Sequence, residues 1–504
     1  MAVPRLLLNL SHTLNLNLFG DGGIKIKSMI KIKRGTGSLA TLLFLFALLA
    51  AVVTSSAATF HTLSTNGHSS NRMNIVFLSE GYTASQSNLF LADCTNAFHS
   101  FFGGGDYTGE EPFVEYSNYF NAYAVFVAST NSGSDHPQYG QTNNTYFNSS
   151  YDVINDYVIT IPPGATGQGL VDSLLNTYTP TNAFRYRLPV MLVNDGTQGG
   201  SGGATAIVAT GFNAQGIMIH ECGHVLAGLG DEYEADPGGF DFSGLPAEPN
   251  TTTNTAFNLI PWKLWIDTNS TPIPTPNDPT NSTFVGLWEG AHYSTTNWYR
   301  PKLNCRMRSV STTGVYFCEV CREALVKTFS SKTRLIDAAA PTNAALTLTS
   351  LAPATFNVTP LQPATHTLSV QWQTNGVNIA GATNTSFNFI PATNGVVTLR
   401  AIVRDATDWV RNDPSNQLTA TNTWTVTVAN QELWLESAQA LAGDKFRFTI
   451  RGSGLTNFSI KASTNLTAWT SIATNALVAG QSSYTNTGLG NIPWRFYRAV
   501  SPPQ

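Results

Sequence analysis

"MIHECGHVLAGLGDEY", residues 218–233, decides how the rest of the chain is read. His220 and His224 stand four apart. On a helix of about 3.6 residues per turn, that spacing sets both imidazoles on one face, converging on a single point. Glu221 projects beside that face, where it can hold a metal-bound water and take its proton as general base. Two histidines are only two ligands, whereas a catalytic zinc site uses three protein ligands and water. Gly228 and Gly230 suit the left-handed conformation that ends a helix and turns the chain sharply. Such a turn returns Asp231 or Glu232 to the metal; Asp231 is the first candidate and Glu232 the second, with the remote Glu289 of "VGLWEGAHY" still open. The competing explanation is a core helix carrying two satisfied histidines. It leaves the Glu221 carboxylate on the inward edge of an apolar segment, in need of a partner.

The bulk numbers fit a folded, multi-domain chain. Its 504 residues are too many for one domain of ordinary size, and two to four are expected. Hydrophobic residues make up 42% and charged residues only 12%, with Asn, Thr and Ser supplying the polar surface, as in secreted β-rich proteins. The net charge is −4 and no block of Lys and Arg stands out beyond the N-terminal segment, so a nucleic-acid partner is not expected.

Residues 1–58 are set apart from the fold. From Met29 the chain has basic Lys31, Lys33 and Arg34, an apolar run from Leu39 to Val53, and small residues up to Ala57 and Ala58. That is the three-part layout of a secretory signal peptide, with cleavage expected after Ala57 or Ala58 and residues 1–28 as an upstream extension. The expected location is therefore extracellular or at the cell surface, where disulfides form.

Two textures follow. From 59 to 335, short apolar runs such as "MNIVFLSEGYT" and "RLPVMLVND" read as buried strands, and "SQSNLFLADCTNAFHSFF" reads as a helix. After "APTNAALTLTS" the chain alternates apolar and polar residues between Gly, Asn and Pro turns, in "HTLSVQWQT", "GVVTLRAIVRD" and "NTWTVTVAN". This predicts a β-sandwich over 340–429 and a second all-β unit over 430–504. Neither tail unit gathers catalytic residue types, so both read as passenger or binding modules, with a glycan or a cell surface as the expected ligand.

The glycine-then-acid arrangement after His224 resembles that of the metzincins, with glycine and ligand each one position later and their mutual spacing kept. Met307 in "YRPKLNCRMRSV" stands where a methionine turn beneath the metal is expected. The whole stretch from about 73 to 325 is similar to the metallopeptidase family named for bacterial immunoglobulin A peptidases. The match is carried in order by "NIVFLSEGYT", "EPFVEYSNYFNAYAVFVASTNSGSDHP", "GGSGGATAIV", "HECGHVLAGLGDEY" and "IPWKLWID…VGLWEGAHY…YRPKLNCRMR…FCEVCREAL". The resemblance implies a secreted zinc endopeptidase with His220, His224 and Asp231 as ligands and Glu221 as base. It implies an α+β zincin or metzincin-like catalytic domain, here followed by two all-β sandwich (Ig-like) domains. It does not imply immunoglobulin A as the substrate.

Lesser features remain. "NDGTQGGSGGATAIV" (194–208) reads equally as a surface loop or as a strand at the upper edge of the cleft, pairing with substrate. Tyr299 is weighed as an oxyanion donor and expected instead to pack in the domain. "CEVC" has metal-ligand spacing, but in an exported chain a Cys305–Cys318 disulfide, or one tying Cys222 to the Met307 segment, is the stronger expectation. The rival class is a surface adhesin on an inactive zincin scaffold. A third reading is a zinc hydrolase of non-peptide amides.

Overall fold

A computed structural model of the chain describes residues 57–501 apart from 155, 235–245, 312–313, 350–351, 392–394, 430–431, 454–456, 491 and 493. The segment expected to be a signal peptide falls outside the described residues, except for Ala57 and Ala58. The chain divides into Met1–Ser55 and Ser56–Gln504, and only the second is described here. Among the described residues no helix is long and apolar enough to cross a membrane.

Among the described residues, ten strands belong to the first part: β1 (Thr59–Ser64), β2 (Met73–Glu80), β3 (Phe120–Phe126), β4 (Ser150–Tyr151), β5 (Ile159–Thr160), β6 (Tyr186–Val193), β7 (Gly200–Ser201), β8 (Ala206–Ala209), β9 (Trp288–Ala291) and β10 (Ser294–Arg300). Four helices accompany them: α1 (Ser87–Phe102), α2 (Gln168–Tyr178), α3 (Ala214–Ala227) and α4 (Glu319–Lys332).

The main sheet has the order β1-β3-β2-β6-β8-β7. Its four central strands are parallel, and both edge strands run antiparallel to their neighbours. Every residue of β2 and of β3 is buried, as expected for parallel strands covered on both faces. Alternate side chains serve two cores. Ile75, Phe77, Leu188 and Val190 pack with residues of α1, α3 and α4. Val76, Leu78, Met191 and Val193 pack with Val171, Leu174 and Leu175 of α2. The strands and helix expected from the apolar runs are present, and the sheet is mixed, with helices on both sides.

Beyond α4 the regular elements among the described residues are all strands. Ile336–Ala340, Ala354–Pro360 and Ser386–Phe389 make a three-stranded sheet. It faces a five-stranded one built on Ser369–Thr374, Gly395–Arg404 and Thr419–Ala429. Phe356 of the first lies edge-on to Trp424 of the second at 5.2 Å, and Trp424 stacks on Trp372 at 5.7 Å. This aromatic core is continuous with that of α1, α3 and α4. Polar bridges cross the same boundary: Arg72 pairs with Asp337 at 2.6 Å, and the Tyr116 hydroxyl donates to Asp405 at 2.8 Å. The last two three-stranded sheets close instead on a small core of their own, around Phe448, Ile450, Phe458 and Ile460.

Candidate active site

The site rests on α3 and the turn after it. Every residue from Gly216 to Gly223 is buried, so the helix is enclosed rather than amphipathic. It stops at Gly228, whose φ of 59° is left-handed and whose N–H returns to the His224 carbonyl at 2.9 Å. Gly230 takes no such conformation. Asn250 holds its backbone instead, accepting from its N–H at 2.7 Å and donating to its carbonyl at 2.8 Å.

From this turn Asp231 reaches back to the helix. Its Oδ1 lies 2.9 Å from His220 Nε2 and 3.3 Å from His224 Nε2, and the two nitrogens are 3.1 Å apart. Both Nδ1 atoms are committed elsewhere: His220 donates to the Arg306 carbonyl at 2.9 Å and His224 to the Leu229 carbonyl at 2.6 Å. With the proton on Nδ1, each Nε2 turns its lone pair toward the shared point. Glu232 points the other way, to Asn250 and Cys321. Glu289 is exposed on β9, its carboxylate accepting from the Asn297 N–H. Of the three carboxylates considered, only Asp231 joins the imidazoles.

These donors suit a divalent cation. Bonds of about 2.0–2.1 Å in a tetrahedron set neighbouring ligand atoms about 3.3 Å apart, close to the three edges observed. Asp231 Oδ1 is buried and lacks a well-directed hydrogen bond, the condition of an atom facing a cation rather than a donor. Burial opposes its charge, but His224 and His220 hold its carboxyl well below the usual carboxylate range. Burial likewise works against a charged His224, yet Asp231 lifts it to about 9. Burial pushes Glu221 upward, partly offset by the two histidines.

Neighbouring segments lock this arrangement. Met307 lies beneath α3, its sulfur 2.9 Å from where a Cβ on Gly223 would stand, and its carbonyl accepts from the Glu232 N–H at 2.8 Å. The glycine-rich stretch supplies the edge strand β7. Just after it, Gly202 sits so close that a Cβ there would be 3.0 Å from a Glu221 carboxylate oxygen and 2.8 Å from His224 Cβ. Tyr299 packs in the core, with its backbone paired to Thr252.

A family profile described as IgA Peptidase M64 matches residues 62–283 and 277–329, the whole span that builds the sheet, α3 and the Met307 segment. The chain belongs to this family. It is therefore a peptidase of the metallopeptidase kind, with protein or peptide substrates. No curated protein matches the chain. Among solved structures, the fibronectin(III)-like modules of Clostridium thermocellum CbhA match at 10% identity over 29% of this chain and 77% of theirs, with a TM-score of 0.14. Bacteroides uniformis β-glucuronidase 3 matches at 10% identity and a TM-score of 0.14, over 41% of this chain; the match spans only 28% of that enzyme's length. Likenesses this slight carry no weight for fold or function.

Several residues of this M64 site have no signature in the spacing. The Tyr293 hydroxyl donates to Asp231 Oδ2, and Tyr233 stacks on His220 with ring centroids 6.3 Å apart. Backbone bonds from His292 to Asp231 and from Tyr293 to Tyr233, at 2.8 and 3.1 Å, zip the returning turn to the segment after β9. Both tyrosines stand within stretches that resemble the family, but only the tertiary contact gives them a task. The expected Cys305–Cys318 disulfide, and the one from Cys222 to the Met307 segment, are corrected: all five cysteines are free and buried, with Cys305 Sγ 3.7 Å from Cys321 Sγ, beyond bonding distance, and Cys222 enclosed within α3.

Proposed function

We propose that the protein is an exported zinc endopeptidase acting on extracellular proteins, with His220, His224 and Asp231 holding the ion and Glu221 as general base. The observation that carries this reading is the triangle of two Nε2 atoms and Asp231 Oδ1, with edges of 2.9 to 3.3 Å and both Nδ1 atoms already bonded to carbonyls. A bound zinc ion supplies Lewis acidity, polarising the scissile carbonyl and making water a nucleophile near neutral pH.

The chain's own groups do the rest. Glu221 follows His220 directly and is 9% exposed, so it meets the cleft at one edge only. It accepts the proton of the attacking water and returns it to the departing amine. The upward push of burial on its carboxyl suits a group that must hold a proton between those steps. Tyr293 orients Asp231 by donating to Oδ2, leaving Oδ1 for the cation. The exposed Gly202 and Gly203, just after β7, offer backbone beside Glu221 to which an extended substrate can pair, whereas Gly200 of β7 is already bridged to Val158.

Export rests on the layout of residues 29–58, and 59–335 is taken as the catalytic unit. The sandwiches over 340–429 and 430–504 are taken as Ig-like modules that hold the enzyme near its substrate, by a glycan or a cell surface. The test is incubation of the full chain with a mixed peptide library, with and without a chelator. Chelator-sensitive cleavage at internal bonds is expected. A silent library from metal-loaded protein would defeat the reading and return the adhesin alternative.

A further inference from the structure

Asp231 has a neighbour that the peptidase site does not use. Glu232 is fully buried, and its Oε2 has no hydrogen-bond partner among the described residues, while Oε1 accepts from Asn250 at 2.9 Å. Around it stand Cys305, Cys318 and Cys321, all buried. One ligand atom from each of the four residues lies within 4.8 Å of the others. They come from three places: the turn two residues before Met307, the start of α4, and the return segment after Gly228.

The spacing separates a disulfide from a metal. Cys305 Sγ and Cys321 Sγ are 3.7 Å apart, whereas a disulfide needs about 2.05 Å. A tetrahedral ion with metal–sulfur bonds of about 2.3 Å sets two sulfurs about 3.8 Å apart. The mixed edge agrees as well. Cys321 Sγ to Glu232 Oε1 is 3.3 Å, and a tetrahedron with one such sulfur and one oxygen gives about 3.5 Å.

The surroundings also bring positive groups to the cluster. Cys318 caps α4 and Cys321 lies in its first turn, where the helix presents its positive end. The Cys318 N–H donates to Cys305 Sγ at 3.3 Å. Buried Arg300 acts on the Glu232 carboxylate, and Arg308 donates to the Glu232 carbonyl at 3.2 Å. Three thiolates and a carboxylate around a divalent cation carry two surplus negative charges, toward which the helix start contributes positive potential, as do the two arginines, which also pair with Glu234 at 3.3 and 2.9 Å.

We propose that Cys305, Cys318, Cys321 and Glu232 form a second, structural metal site for a thiophilic divalent cation, zinc first. Four protein ligands leave no open position, so the ion serves the fold and not the reaction. It fastens the Met307 turn and the return segment to α4. Through the Asp231–Glu232 peptide it sets where Asp231 can stand. The assignment does not rest on the peptidase reading, since no ligand is shared.

Metal content of the full chain, purified under reducing conditions, is the first test. Two ions per chain are expected, falling to one in Cys318→Ser/Cys321→Ser and also to one in His220→Ala/His224→Ala. Loss of the peptidase reading alone would remove only the second of these changes. Should the cysteine variant fail to fold, cobalt loading of the parent gives an independent readout. A thiolate-to-cobalt charge-transfer band in the near ultraviolet is expected, and it should persist in His220→Ala/His224→Ala. No such band overturns the proposal. So does mass mapping of denatured, unreduced protein that finds any two of the three cysteines bridged.

Discussion

The histidine cluster and the cysteine cluster hang from adjacent residues of one turn, yet their surroundings differ in every respect that matters to chemistry. Asp231 faces two imidazoles, which hold its carboxyl well below the usual range. Glu232, one peptide away, is driven up to about 8 by burial, with Cys318 adding to the push. The His224 side chain is still 21% exposed and lies against the Gly202 edge, so a substrate can approach. The cysteine cluster is buried, so a side chain there serves to hold structure together. Exposure of the histidine side separates the two, while both carboxylates are buried. A family motif identifies the first cluster; only convergence in space reveals the second.

The sharpest way to break this contrast is Glu221→Gln. It removes the proposed base while leaving every proposed ligand of both clusters in place, so kcat should fall about 10²–10⁴-fold with metal content unchanged. Peptide hydrolysis and elemental analysis on the same sample check it; retained turnover would dissolve the distinction between reactive and structural cluster. Next comes Tyr293→Phe, which deletes the hydroxyl that orients Asp231. A loss of about 10–100-fold in metal affinity or activity is expected, at the histidine cluster alone, read by chelator competition.

A smaller effect is expected from Gly202→Ala, whose new Cβ would crowd Glu221 and His224 on the open side only. Turnover should drop about tenfold through misplacement of the base, with the melting temperature nearly unchanged. The smallest concerns His366→Gln, far from both clusters in sequence and serving as their control. His366 bridges Glu115 and Asp405, and although burial lowers its pKa, those two carboxylates raise it on balance. A raised folded pKa stabilises fully below the unfolded value of about 6.5 and is lost as pH rises through the folded one. The variant should therefore melt about 1–2 °C lower than the parent at acidic pH, with the gap closing as pH rises, and both metal contents should stay constant.

Much of the histidine cluster was legible because it is local. His220, Glu221 and His224 share one helix face, and Gly228 marks where that helix must end, which leaves Asp231 the first acid able to return. The anticipated left-handed Gly230 was wrong in detail, since Asn250, twenty residues further on and part of no motif, holds that backbone instead. Met307 was legible only as a candidate, because a buried methionine looks the same in sequence whether it lies under a metal helix or elsewhere in a core. The cysteines were misread for a related reason. "CEVC" states that two thiols stand a helical turn apart, but not that Cys305 and Glu232 close the ring around them.

By itself, the sequence determined what depends on neighbours along the chain: strand runs, the paired histidines with their base, and the glycine stop. The helix repeat and the left-handed glycine convert order into direction over a few residues. Tertiary structure alone decided which of two adjacent acids meets the histidines, which tyrosine donates to it, and that three cysteines and Glu232 converge without bridging. Those outcomes depend on how α3, α4 and the Met307 turn pack, and packing is set by the whole core at once.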